Sequence, residues 1–213
     1  MKSQYLSMLP TWREYLSEKR NVYNFIITFI ILIPVLIFLP MFLTYIETRD
    51  GFAFTDPLLT LFAPIDLTWW AFSFIYIGLF TAIIHLVYHP KYFLFALKVY
   101  TFTAIFRIIG MYFLPLEAPE NIIPLNDPFV QFWGTGEILT KDLFFSGHTS
   151  TMFIFFLTAQ NKILKNLFLS ATIAIALCVI FQHVHYTIDV FAAPFFAYTS
   201  FKIAELIENK FNW

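Results

Sequence analysis

Charged side chains are scarce in this sequence of 213 residues. Lys, Arg, Asp and Glu make up 13% of it, whereas hydrophobic residues make up 59% and aromatic residues 21%. Soluble domains are about one quarter charged, so this chain has too few polar side chains to cover a water-exposed surface of its size. The composition excludes a soluble enzyme, a disordered tail and a nucleic-acid binder, and it predicts a single domain in lipid.

Cysteine is nearly absent as well. The sequence contains one, Cys178, so it can form no disulfide within the chain and no metal site built from several cysteines. This residue falls inside an apolar run, where we expect it to pack as a small side chain.

Long apolar runs make up most of what is present. A helix needs about 20 apolar residues to cross a bilayer, and six runs approach or exceed that length, of which the fourth and fifth are short. They cover residues 22–46, 67–88, 92–114, 149–159, 167–181 and 186–207. We therefore predict an all-α integral membrane protein with a six-helix bundle at residues 22–207. Helices that begin near Ser146 and Lys165 would give the two short runs enough length with tilt.

Basic residues are distributed unequally between the loops of such a bundle. Nine Lys and Arg fall on the side of both termini, against Arg49 and Lys141 on the other. By the positive-inside rule both termini are cytoplasmic. Residues 1–21 are expected to form an interfacial helix or a solvated lead-in, and residues 208–213 a short cytoplasmic tail. A bacterial inner membrane is the favoured location, with the Golgi or plasma membrane as the eukaryotic alternative.

A few ionisable residues lie in or beside the spans, where lipid does not tolerate them without partners. Arg107 lies toward the outer end of the third span, Asp142 and His148 precede and open the fourth, and His185 and Asp189 open the sixth. An antiparallel bundle would bring them to one depth. We therefore predict a single pocket on the non-cytoplasmic side, in which Arg107 pairs with a substrate phosphate or with Asp142.

His185 and Asp189 are four residues apart, which places them on the same face of a helix. Asp189 can then accept a hydrogen bond from one ring nitrogen of His185 and leave the other nitrogen as a nucleophile or base. A histidine and carboxylate that only satisfy each other at a helix start are the alternative. The second histidine at the same depth favours the catalytic interpretation.

Residues 142–150 have the pattern of a helix N-terminus. Ser146 or Ser150 can cap the helix, Gly147 lets the backbone approach a ligand, and the free N–H groups favour a phosphate-type oxyanion. A cap without a ligand is the simpler explanation of this segment alone. The candidate substrate-binding residues are Arg107, Asp142, Ser146, Gly147, Thr149 and Tyr186.

Together, the two motifs resemble those of a known superfamily. Residues 146–149 (SGHT) and 185–190 (HYTIDV) are similar to motifs of the type-2 phosphatidic acid phosphatase superfamily, and more narrowly of its sphingomyelin synthase-related branch. Asp142 follows the pattern of that branch, and residues 63–66 and 107–115 resemble its first two motifs. The resemblance extends over the second to sixth spans.

This resemblance implies a catalytic triad of His148, His185 and Asp189 on the non-cytoplasmic face of a six-helix bundle. His185 would attack phosphorus, Asp189 would orient it, and His148 would protonate the leaving oxygen. A lipid alcohol of the ceramide or diacylglycerol type, or water, would then resolve the phosphohistidine. The resemblance implies no metal and no other cofactor.

The sequence departs from the phosphatase branch where that branch binds phosphate. Lys98 and Arg107 do not match its Lys–six residues–Arg-Pro spacing, and Cys178 and Val179 replace its Ser-Arg pair. A phosphodiester carries less negative charge than a terminal phosphate and so needs fewer cationic ligands. The absence of these cations therefore favours an enzyme that acts on phosphodiesters and transfers a headgroup phosphate to a lipid alcohol. A lipid phosphate phosphatase or phospholipase C-type hydrolase is the alternative, and a non-catalytic lipid-binding or transport protein is the third.

Overall fold

The computed structural model describes residues 10–125 and 139–213. Within them the regular secondary structure is α-helical, apart from a 3₁₀ turn at Leu59–Leu61 and a single β-bridge between Phe52 and Leu116. The helices are α1 (Trp12–Tyr15), α2 (Lys19–Glu47), α3 (Thr68–Val87), α4 (Pro90–Phe113), α5 (Gly147–Thr158), α6 (Lys162–Phe181) and α7 (Thr187–Phe211). Each of the six predicted runs corresponds to one of the helices from α2 to α7.

Five of these helices are long and apolar enough to cross a membrane, namely α2, α3, α4, α6 and α7. The helix α5, which corresponds to the fourth predicted span, has 12 residues and rises about 18 Å. This is short of the roughly 30 Å of a bilayer core. It begins where the sequence predicts, after Ser146, but the expected full-length fourth span is not formed. In contrast, α6 begins at Lys162 and reaches 20 residues.

The short helix α5 occupies the centre of the bundle, where it packs against α3, α4, α6 and α7. Its side chains Met152 and Ile154 are fully buried. Gly78 of α3 makes room for this packing, because a Cβ atom added there would lie 2.6 Å from the Met152 sulfur. Since neighbouring helices surround α5, its ends can lie at membrane depth without contacting lipid.

The outer faces of the long helices carry large apolar side chains. On α2, Ile30, Ile37 and Met41 are all exposed, as expected for a surface that contacts lipid rather than water. Pro34 and Pro40 lie within this helix, and both are tolerated because transmembrane helices commonly include proline. The exposed apolar surface, together with the five long helices, supports association with a membrane.

The described part of the N-terminal segment contains one helical turn, α1. The Trp12 indole donates a hydrogen bond to the Val87 carbonyl over 2.6 Å, and its ring contacts Phe25 and Phe93. Trp12 therefore ties the segment to the near ends of α2, α3 and α4. Residues 1–9, which the interfacial prediction includes, lie outside the described residues.

A charged pair is buried toward the end of the bundle that lies opposite Arg107. Lys98 of α4 donates to Glu208 of α7 over 2.5 Å, and its ammonium lies 4.4 Å from the centroid of the Trp213 ring. The two charges compensate each other, as burial in a low-dielectric interior requires.

We predict that Phe168→Ala lowers the free energy of unfolding by about 3 kcal/mol. Phe168 of α6 is 2% exposed and contacts the Phe155 ring, so its truncation leaves a cavity. Phe195→Ala is the matched control, because this ring is 67% exposed and its loss leaves none. Unfolding of purified protein in detergent measures both, and equal losses would contradict the packing.

Candidate functional site

The predicted ionisable residues converge on Asp142, in the segment before α5. The Asp142 carboxylate accepts a hydrogen bond from the Arg107 guanidinium and forms an ion pair with it, and His185 and His148 lie close enough to affect its charge. Asp189 is four residues beyond His185, which lies in the turn before α7. The structure therefore brings together these five residues from α4, the 139–146 segment, α5, the turn before α7 and α7 itself.

The charge of Asp142 is maintained by its neighbours. Burial alone would raise the pKa of this carboxyl, but the charge of the Arg107 guanidinium, the hydrogen bond from it and the electrostatic interactions with His185 and His148 outweigh that effect. The pKa therefore lies below its ordinary value of 3.8. Asp142 is ionised at neutral pH, and it attracts the Arg107 guanidinium.

Arg107 is held in place by two further contacts. Its Nε donates to the Phe145 carbonyl over 3.1 Å, and its guanidinium lies directly against Gly147. A Cβ atom added to Gly147 would be 2.6 Å from Nη1 of Arg107. The sequence predicts that Gly147 gives room to a ligand, and here the guanidinium occupies that room.

His185 and Asp189 are neighbours, but they do not share a helix as the sequence predicts, because α7 begins at Thr187 and Tyr186 before it is extended. They are also not hydrogen-bonded. Nδ1 of His185 lies 3.6 Å from Oδ2 of Asp189, beyond hydrogen-bonding distance. That oxygen instead accepts the Tyr186 backbone N–H over 3.1 Å. His185 Nδ1 and Asp189 Oδ1 are both buried without a partner. Contacts of this kind between acid–base groups commonly tighten in the substrate complex.

Ser146 caps α5, and of the two predicted capping serines it is the one that does so. Its Oγ accepts the Thr149 backbone N–H over 3.4 Å and lies 3.0 Å from the Thr149 hydroxyl. The Ser146 N–H donates to the Asp189 carbonyl over 3.2 Å, which ties the start of α5 to that of α7. Ser150 donates to the Gly147 carbonyl. The buried side chains of Ser146 and Thr149 thus contact each other and stabilise the turn before His148.

Tyr186 packs toward the loops that cover this end of the bundle. Its hydroxyl donates to the Glu117 carbonyl over 3.1 Å, and its ring stacks on Phe54 with centroids 4.1 Å apart. The ring lines a cavity of about 530 Å³ together with His183. His183 contacts the Glu120 carbonyl through Nδ1 over 3.2 Å.

Asp56 is a residue that sequence reasoning missed. Its carboxylate accepts the Thr187 backbone N–H over 2.6 Å and the Thr187 hydroxyl over 3.0 Å, and it also accepts the Leu58 N–H. Thr187 is the first residue of α7, so a loop before α3 caps the helix that carries Asp189. The adjacent Pro57 indicates a turn, but nothing in the sequence names the partner.

A metal centre is not formed by the part of the chain that the structure describes. Among residues 10–125 and 139–213, no three His, Cys, Asp or Glu side chains are placed to hold one ion. The expectation of chemistry without a metal stays a prediction.

A family comparison bears on this same region. Residues 141–206 match the family described as PAP2 superfamily C-terminal. This match supports the type-2 phosphatidic acid phosphatase superfamily. It includes Asp142, His148, His185 and Asp189, and it does not single out the sphingomyelin synthase-related branch. No curated protein and no solved structure matches the chain.

We predict that Thr187→Pro weakens both the stability and any activity of the site. Proline fits the first position of a helix, and the extended backbone of Tyr186 (ψ 151°) suits a residue before proline. The substitution nevertheless removes two donors to the buried Asp56, at a cost of about 2 kcal/mol or more.

Thr187→Ala is the control, because it removes the hydroxyl and keeps the backbone N–H. Unfolding and turnover should both rank wild type above Thr187→Ala, and Thr187→Ala above Thr187→Pro. If Thr187→Pro equalled Thr187→Ala in both measurements, the backbone hydrogen bond to Asp56 would have no role.

Proposed function

We propose that this chain is a membrane-embedded enzyme that transfers phosphoryl groups of lipids through His185. The observation that carries the proposal is that the buried pair of His185 and Asp189 lies beside an arginine and a second histidine. Both histidines and Asp189 lie within the residues that match the superfamily. This adds support, because lipid phosphatase or phosphotransferase chemistry is typical of that superfamily.

In the proposed reaction, Nε2 of His185 attacks phosphorus while Asp189 orients the ring through Nδ1. The bond from phosphorus to the leaving alcohol breaks, and His148 gives its proton to that oxygen. A second alcohol then attacks the phosphohistidine, returns a proton to His148 and restores His185. Arg107 and the N–H groups at the start of α5 would stabilise the negative charge that develops on the phosphoryl oxygens.

The proposed substrate-binding residues fall into two groups by geometry. Arg107 can contact the phosphate directly, while Asp142 and Gly147 fix its guanidinium. The remaining candidates shape the surrounding turns rather than offer a free polar atom of their own. They are Ser146, Thr149 and Tyr186.

Charge favours a phosphodiester donor over a phosphomonoester. In the described part of the site, the positive charge of Arg107 is already compensated by Asp142, so little net positive charge remains for a dianionic terminal phosphate. A diester carries one negative charge and needs fewer cations. We therefore favour transfer of a phospholipid headgroup phosphate to a lipid alcohol of the ceramide or diacylglycerol type, as in sphingomyelin synthases, with hydrolysis as the alternative.

The proposed topology places both termini in the cytoplasm and the site on the other face. The charge distribution between the loops supports it. Five helices cross the bilayer, and α5 with the segment before it completes a sixth passage inside the bundle. The favoured location is a bacterial inner membrane with a periplasmic site, or a Golgi or plasma membrane in a eukaryote.

We predict that His185→Ala reduces turnover by at least about a thousandfold, because the attacking nitrogen is lost. His89→Ala is the matched control, since His89 lies at the other end of the bundle and its loss should leave turnover unchanged. Thermal unfolding in detergent shows that both variants are folded. Full activity of folded His185→Ala would refute the proposed nucleophile.

The products separate transfer from hydrolysis. Purified protein is incubated with headgroup-labelled phosphatidylcholine or phosphatidylethanolamine, with and without ceramide or diacylglycerol. Label in a new lipid that depends on the acceptor indicates transfer, and label released only to water indicates hydrolysis. Lipid binding without turnover of any donor would favour the non-catalytic alternative.

The topology predicts a specific labelling pattern in a Cys178→Ser background. In intact cells, a membrane-impermeant maleimide should label Asp50→Cys, and it should label Lys210→Cys only after the membrane is permeabilised. The reverse pattern would place the site on the cytoplasmic face.

A further inference from the structure

An apolar groove of about 530 Å³ lies between α2 and α4. Its lining residues are Phe38, Met41, Phe42, Tyr45, Ile108, Ile109, Tyr112 and Phe113. The four on α2 follow the i, i+3, i+4, i+7 pattern of one helix face, so they form a continuous stripe about 10 Å long. Most of these side chains are exposed, so the groove opens toward lipid.

A cation lies at one end of this groove. The Arg49 guanidinium is 5.7 Å from the centroid of the Tyr45 ring and 5.3 Å from that of the Tyr112 ring. Its Nη1 donates to the Tyr112 carbonyl over 3.1 Å. Because both tyrosines line the groove, these contacts fix the guanidinium at its mouth.

The charge of Arg49 has no anionic partner among the residues that the structure describes. Two nearby carboxylates are engaged elsewhere. Glu117 pairs with Lys141 over 2.8 Å, and Glu47 accepts the backbone N–H groups of Thr140 and Lys141. Arg49 therefore retains donors for an anion from outside this part of the chain.

These features match the chemistry of a phospholipid. An acyl chain fits the apolar groove. Tyrosines are typical of the depth at which acyl chains meet lipid headgroups, and an arginine at that depth is well suited to bind phosphate. We propose that the groove between α2 and α4 binds one phospholipid molecule, with an acyl chain along the stripe and its phosphate on Arg49. This site is separate from His185, and the proposal does not depend on catalysis.

The test uses full-length His185→Ala protein in detergent, so that turnover cannot alter the lipid. Native mass spectrometry measures binding of dioleoylphosphatidylglycerol, which has chains and a phosphate. Dioleoylglycerol, which lacks the phosphate, and glycerol 3-phosphate, which lacks the chains, are the comparison probes. We expect dioleoylphosphatidylglycerol to bind at least about tenfold more tightly than either.

Arg49→Gln should weaken that binding about tenfold, because a charge-assisted hydrogen bond is lost. Arg20→Gln is the matched control, since Arg20 lies at the other end of α2 beside Glu18. Unchanged binding by Arg49→Gln, or an equal loss in Arg20→Gln, would overturn the phosphate contact.

Ile109→Trp tests acyl-chain binding in the groove independently of the phosphate contact, because an indole at this lining position fills the groove. Ile83→Trp on α3 is its control, as both isoleucines are about equally exposed (46% and 43%) and only Ile109 lines the groove. We expect only Ile109→Trp to weaken lipid binding. Equal lipid binding by the two variants, with similar melting temperatures, would overturn the proposal that the groove binds an acyl chain.

Discussion

The ion pair between Arg107 and Asp142 is the constraint on which the rest of the site depends. Either charge alone would be costly at membrane depth, so each requires the other. The pair connects α4 to the segment before α5, and its carboxylate interacts electrostatically with both histidines. Its space requirement also explains the glycine at position 147, because any side chain there would displace the guanidinium.

Hydropathy predicts the helices of this chain well because lipid leaves the backbone few alternatives. A segment at membrane depth must satisfy its N–H and C=O groups internally, so a long apolar run becomes a helix and its boundaries follow from caps such as Ser146. The length of α5 is harder to predict, because burial among four neighbours removes the need to span the bilayer alone. Only the packing reveals that protection.

Within the candidate site, local spacing predicts what lies on one helix and little of what lies between helices. Four-residue spacing predicts His185 beside Asp189, but it does not show that α7 begins only at Thr187 or that the Tyr186 N–H donates to the Asp189 carboxylate. The contact of Asp56 with Thr187 joins residues 131 positions apart, and no periodicity encodes it. The fold shows that Arg107 pairs with Asp142, a contact between two segments that local spacing does not encode.

In the proposed reaction, the position of Arg107 along α4 sets the depth at which a substrate would react. This helix continues to Phe113, six residues beyond Arg107, which places the guanidinium about 9 Å below the helix end. A phosphate bound there would lie beneath the plane of the surrounding headgroups. A lipid would therefore have to sink into the bundle, or the bilayer would have to thin beside it, before the phosphate met His185.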